Sequence, residues 1–122
     1  MNKTSNLRIL MVGGGTAGHV EPAIAVAHEI KNFQSDIQIT FVGTKNGLEN
    51  RLVPNHNFEL KLIPKVLLPR TLTPAVFIWP FRLILAVIKS IRLVSKTDLI
   101  VGFGGYACPP IYLAAALIRK PI

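Results

Sequence analysis

Cysteine is nearly absent: the 122-residue chain holds one, Cys108. No internal disulfide can form, and no Cys-based metal site can be assembled. Acidic residues are also scarce, with six Asp and Glu against 14 Lys and Arg, a formal net charge of +8. That balance favours an anionic partner: nucleic acid, a phosphorylated ligand or an acidic membrane surface. Aromatic residues make up only 7% of the chain, too few for a platform on which bases stack, so nucleic acid is set aside. No uncharged apolar run reaches the ~20 residues that a membrane-crossing helix needs. The polar start, Met1 to Asn6, leads into about six apolar residues, shorter than the core of a signal peptide. The expectation is a chain retained inside the cell.

What is present is apolar and ordered. Half the residues are hydrophobic and 16% are charged, a composition that folds. Short β-branched runs alternate with longer helical stretches. Leu7 to Val12 reads as a first strand, followed by the loop Gly13 to Gly18 and a helix from about His19 to Phe33. Ile37 to Val42 is a second strand, Leu48 to Val53 a short helix stopped by Pro54, and Phe58 to Ile63 a third strand. Lys65 to Pro74 is Pro-rich and irregular. A long helix spans Ala75 to Ser95, then a strand Leu99 to Val101, a second Gly-rich loop, and a helix from about Pro110 to Arg119. Strands without clean alternation, separated by helices, imply a parallel sheet covered on both faces. With right-handed crossovers this is an α/β, doubly wound, Rossmann-like unit. Pro121-Ile122 reads as the start of a further strand, so the sheet is expected to continue beyond this chain.

Both glycine segments follow strands, where open parallel sheets bind ligands beyond the strands' carboxyl ends. Gly13 to Gly18 enters a helix and can present backbone N–H groups to an anion. Gly102-Phe103-Gly104-Gly105-Tyr106 stands in the same relation to the fourth strand. Two such loops on a basic domain point to a diphosphate-sized ligand. Gly13, Gly15 and Gly18 also fit a dinucleotide fingerprint. That reading wants an acid at the end of the second strand, and Val42-Gly43-Thr44 offers none; Asp36 lies before the strand. A Walker loop is excluded because no Gly-Lys-Ser/Thr follows the glycines.

Gly14-Gly15-Thr16-Ala17-Gly18-His19-Val20-Glu21-Pro22-Ala23 resembles the first glycine loop of the MurG family, and Gly102 to Tyr106 its second. Val42-Gly43-Thr44, Leu48-Glu49 and Leu52-Val53-Pro54 recur in that family at this spacing. The resemblance spans the chain but only about the first third of a full-length member. It implies the N-terminal domain (1–122) of a two-domain GT-B glycosyltransferase, with the donor-binding domain lying outside this chain. Such enzymes transfer N-acetylglucosamine from UDP-N-acetylglucosamine (UDP-GlcNAc) to lipid I, with inversion and without metal or other cofactor, at the cytoplasmic face of the plasma membrane. The resemblance assigns the acceptor diphosphate to Gly14, Gly15, Gly104, Gly105 and Tyr106, and donor contacts to Thr16, Ala17 and Gly18. Three positions depart from the usual pattern: Ala17 for Gly, Glu21 for an aromatic, and Cys108-Pro109 for Ser-Gly.

His19 stands at the mouth of the first loop. An inverting transfer needs the attacking hydroxyl deprotonated as it reaches the anomeric carbon, which is general-base work, and His19 is the candidate catalytic residue. Capping or donation to a phosphate is the plainer role for the same ring. His28, His56 and Cys108 read as structural.

The long helix carries two apolar runs split by Arg82. At 100° per residue, Arg82, Lys89, Arg92 and Lys96 fall within about 80° of one another, and the rest of the surface is almost wholly apolar. That is the pattern of a helix lying in an anionic membrane interface, with Phe77, Trp79, Phe81, Arg82 and Lys89 as the expected contacts. A core helix with solvated cations explains many of the same residues. Two other readings stay open for the chain as a whole, a non-catalytic lipid-binding domain and a dinucleotide-binding domain.

Overall fold

The structure is a computed structural model and describes residues 7–65, 75–105 and 107–122. Its elements run β1 (Arg8–Gly13), α1 (Ala17–Phe33), β2 (Gln38–Thr44), α2 (Glu49–Asn55), β3 (Glu59–Ile63), α3 (Ala75–Ser95), β4 (Leu99–Gly104) and α4 (Cys108–Ile118). The four strands form one sheet in the order β3-β2-β1-β4, and every pairing is parallel. This is the expected α/β, Rossmann-like architecture.

Alternate side chains of β1 serve the two faces, as strand geometry requires. Ile9 and Met11 pack with Val20, Ala23, Ile24 and Ala27 of α1 and with Val53 of α2. Leu10 and Val12 pack with Val94 of α3 and Ile111, Ala114 and Ala115 of α4. Both faces of β1 are covered, whereas the edge strand β3 keeps a polar side, Glu59 and Lys61 being exposed and paired at 2.8 Å.

The elements differ from the sequence expectation mainly at their ends. Helix α1 starts two residues early, at Ala17, with Thr16 as its extended N-cap. Helix α2 continues through Pro54 to Asn55. A proline in the last turn forfeits only one N–H, and the His56 N–H closes the helix on the carbonyls of Leu52 and Val53. Helix α4 starts at Cys108 rather than Pro110, with prolines in its first turn, where their missing N–H groups have no intrahelical partner to lose. Strand β4 runs on to Gly104, so most of the second glycine segment is strand. The Ile100 N–H donates to the Pro121 carbonyl at 3.0 Å, so the chain begins to pair along the outer edge of β4.

At the amino ends of the strands, opposite the glycine loops, Arg8 and Asp98 are clamped together. The Arg8 guanidinium gives two bonds of 3.2 Å to the carboxylate, and its backbone N–H a third of 2.9 Å. These bonds hold Asp98 below the usual carboxylate range, the guanidinium bond contributing most. A depressed carboxylate contributes stability above its unfolded pKa and loses it as pH falls through the folded one. Urea unfolding of Asp98→Asn is therefore expected to show a lower midpoint than wild type at neutral pH. The two midpoints should converge as pH falls below the ordinary carboxylate value of about 3.9.

Candidate active site

The sheet itself brings the two glycine loops together. Strands β1 and β4 are neighbours, and their register shifts between Val12 and Gly13, so Val12 lies beside Gly102 but Gly13 beside Gly104. That shift skips Phe103 and sets the ends of both strands side by side. Gly105 then lies against the backbone of Gly14: a Cβ at Gly105 would stand 2.5 Å from the Gly14 carbonyl oxygen. Gly105 also has φ 105°, a region that side chains rarely adopt. Gly104, with φ 103°, lies under the His19 ring, whose Cδ2 and Nε2 would be 3.0 Å from an added Cβ.

His19 is in the first turn of α1 and half-buried. Its Nδ1 lies 3.3 Å from the Gly14 carbonyl oxygen and 3.2 Å from Thr16 Oγ1. A carbonyl can only accept, so the tautomer that satisfies both neighbours carries its proton on Nδ1. Nε2 is then the lone-pair nitrogen. Thr16 makes no side-chain cap to the helix, and Thr16, Ala17 and Gly18 are exposed. Ala17 is an ordinary helical residue outside the positive-φ set, so alanine costs nothing where the resembling family prefers glycine.

A residue the sequence reading did not single out lies beneath this loop. Glu49, the first residue of α2, is fully buried. Its Oε2 accepts from the Gly15 N–H at 2.8 Å, and its Oε1 from the Thr44 N–H at 2.9 Å. Gly14, Gly43 and Gly47 surround the carboxylate so closely that a Cβ on any of them would collide with it. Asn50 completes the turn, donating from Nδ2 to the carbonyls of Thr44 (2.8 Å) and Gly47 (3.0 Å). Losing the carboxylate would strand two N–H groups, at about 1–3 kcal/mol each. Its one trace in the sequence was the Leu48-Glu49 segment shared with the resembling family.

Gly14, Gly15, Thr16, His19, Thr44, Asn46, Gly47, Lys65 and Gly105 line a cleft of about 440 Å³ above the strand ends. The cleft is walled by backbone and by small polar groups, with Lys65 as its cation. Residues 9–122 match the glycosyltransferase family 28 N-terminal domain. The chain belongs to that family.

Among curated proteins of the family, the UDP-N-acetylglucosamine–N-acetylmuramyl-(pentapeptide) pyrophosphoryl-undecaprenol N-acetylglucosamine transferase of Thermobifida fusca is 48% identical over 95% of this chain. The transferase of the same name from Frankia casuarinae is 48% identical over 93%. The chain spans 31% of the length of each. The crystal structure of Acinetobacter baumannii MurG superposes with a TM-score of 0.78 at 33% identity, covering 94% of this chain and 34% of that one. A transferase from Siraitia grosvenorii in complex with UDP shares the fold at 16% identity, with a TM-score of 0.60 over 94% of this chain and 26% of its own.

Against the family 28 framework, the predicted site residues divide clearly. Gly14, Gly15, Thr16, His19 and Gly105 line one cleft, and Gly104 touches the His19 ring. Ala17 and Gly18 follow on the rim as the first turn of α1. Tyr106 lies outside the described residues.

Helix α3 has three sectors. Ala86, Ser90 and Val94 are fully buried, in line with their spacing of four. Phe77, Phe81, Ile84 and Ile88 are exposed by 79, 73, 55 and 58% and form a continuous apolar stripe. Arg82 and Lys89 are exposed beside it. Trp79 departs from expectation: it is only half-exposed, and its Nε1 is buried with no hydrogen-bond partner among the described residues. Two residues along a helix are about 200° apart, so Trp79 falls on the side opposite Phe77 and Phe81. No helix among the described residues is long and apolar enough to cross a membrane.

Proposed function

We propose that this chain is the acceptor-binding and membrane-contacting half of an inverting transferase that moves N-acetylglucosamine from UDP-N-acetylglucosamine to lipid I at the cytoplasmic face of the membrane. The observation that carries the reading is the meeting of the two glycine loops around His19 at the carboxyl ends of β1 and β4. Gly14, Gly15 and Gly105 line a cleft beside the start of α1 that also receives Lys65, which suits a diphosphate. Thr16 lines the cleft, Ala17 and Gly18 follow it exposed in the first turn of α1, and we assign the three to the donor, with its remaining contacts in a second domain. His19 Nε2 takes the proton of the attacking hydroxyl as the anomeric bond to UDP breaks. The names of the Thermobifida and Frankia relatives supply the substrates, and the apolar stripe of α3 offers a means of reaching a lipid-linked acceptor.

The dinucleotide reading is weaker on the same geometry. The nearest acid to the end of β2 is Glu49, and both its oxygens are already engaged by backbone N–H groups.

The test fuses this chain to the remaining portion of the Thermobifida transferase. We expect the 122-residue chain to bind a lipid I analogue yet transfer nothing alone. In the fusion, His19→Ala should lower kcat by about 10²–10⁴-fold while leaving acceptor binding nearly unchanged. Failure of the chain to bind the analogue, or transfer by the chain alone, would overturn the reading.

A further inference from the structure

We infer that Glu49 is a positioning residue for His19, acting through the Gly14–Gly15 peptide bond that lies between them. This rests on the reading of His19 as the base. The peptide N–H is that of Gly15 and donates to Glu49 Oε2 at 2.8 Å. The carbonyl of the same peptide is that of Gly14, and it faces His19 Nδ1 at 3.3 Å. Carboxylate, peptide and imidazole therefore stand in a single hydrogen-bonded row. The familiar arrangement in which a carboxylate orients a catalytic histidine directly is here relayed by one backbone amide.

The row has a direction. A carboxylate accepting from the N–H pushes electron density towards the carbonyl oxygen, and bonds in such chains strengthen one another. A stronger acceptor at Gly14 holds the proton on Nδ1 and leaves Nε2, on the Gly104 side of the ring, with its lone pair. Because Oε2 uses the Gly15 N–H, that group is turned inward and is not a ligand contact. The anion is left to the other groups that line the cleft.

The other oxygen explains why the carboxylate stays in place. Oε1 is fixed by the Thr44 N–H at 2.9 Å, so Glu49 is anchored to the end of β2. Gly14, Gly43 and Gly47 close around it, leaving no room for a second rotamer. A residue with no solvent exposure cannot touch substrate, so its influence on the reaction must pass through the peptide.

Nitrogen-15 NMR on the 122-residue chain reads the tautomer of each histidine directly. Wild type is expected to show His19 protonated on Nδ1, and slow hydrogen exchange at the amides of Gly15 and Thr44. Glu49→Gln should shift His19 towards the Nε2-protonated form and speed exchange at Gly15, with the His28 and His56 resonances unmoved. Glu49→Asp, which withdraws the carboxylate by one methylene, should shift His19 partway; it carries the comparison if the glutamine variant does not fold. A wild-type His19 protonated on Nε2, or a tautomer unchanged in a folded Glu49 variant, would overturn the inference. Binding of the lipid I analogue is measured on the same samples. Its loss in wild type would sink the proposed function, while the tautomer still decides the role of Glu49.

Discussion

Gly105→Ala is expected to weaken binding of a diphosphate ligand at least about tenfold and to destabilise the fold. Two independent effects act at this position. The φ of 105° is one that an L side chain adopts at a cost of about 1–3 kcal/mol. The new methyl would also meet the Gly14 carbonyl at 2.5 Å and the Gly14 nitrogen at 3.0 Å. Both are backbone atoms and cannot rotate away. Relief requires the two loops to separate, which moves the Gly14–Gly15 peptide and with it His19. Isothermal titration with inorganic pyrophosphate should show affinity falling by at least about tenfold, roughly 1.4 kcal/mol. Gly18→Ala is the control: the nearest atom to its added Cβ is Thr16 Oγ1 at 3.8 Å. Alanine there should leave thermal stability unchanged or slightly raised, since glycine within a helix is the weaker former. Equal effects at the two positions would refute the argument from loop contact.

Vesicle binding is expected to collapse when the apolar stripe of α3 is made polar. Phe77 and Phe81 are 79 and 73% exposed, one turn apart on the same face. Burying a phenylalanine side chain contributes about 1.5–3 kcal/mol, so Phe77→Ser with Phe81→Ser should reduce partitioning onto anionic vesicles by at least about a hundredfold. Neither side chain supports the core, so the double variant should unfold at the wild-type temperature. Arg82→Gln with Lys89→Gln tests the electrostatic part, worth about 1 kcal/mol per cation near an anionic surface. Its effect should fade at high salt, whereas that of the phenylalanine pair should persist. Trp79→Phe should change vesicle binding little, because Trp79 lies on the other side of the helix. A double serine variant that binds vesicles as wild type does would remove α3 from the membrane-contact proposal.

The proposals share one physical theme, the use of backbone rather than side chains to build a site. The cleft is lined by Gly14, Gly15, Gly47 and Gly105 with few long side chains. Part of its polarity comes from peptide N–H and C=O groups, whose directions are set by packing. Side chains such as Glu49 and Asn50 act mainly on those peptides. A substitution that leaves every cleft-lining side chain in place can therefore still dismantle the site by turning one peptide.

The order of elements, the parallel sheet and the extent of α3 were legible in the sequence. They depend on local hydrophobic periodicity and on glycine and proline placement, which act within a few residues. His19 and the two glycine loops were legible for the same reason, since each loop directly follows an apolar strand. Contacts between distant segments were not legible. Gly15 and Glu49 are separated by 34 positions in the chain, and no local pattern marks an acid whose partners are backbone groups of another loop. The skipped Phe103 that sets Gly13 beside Gly104 is a matter of register between strands far apart in sequence. That Trp79 falls opposite Phe77 and Phe81 follows from helical spacing alone; its partial burial was decided by packing. Short-range chemistry determined the parts; the tertiary structure decided their orientation, because hydrogen bonds and steric fit act between groups that only folding brings together.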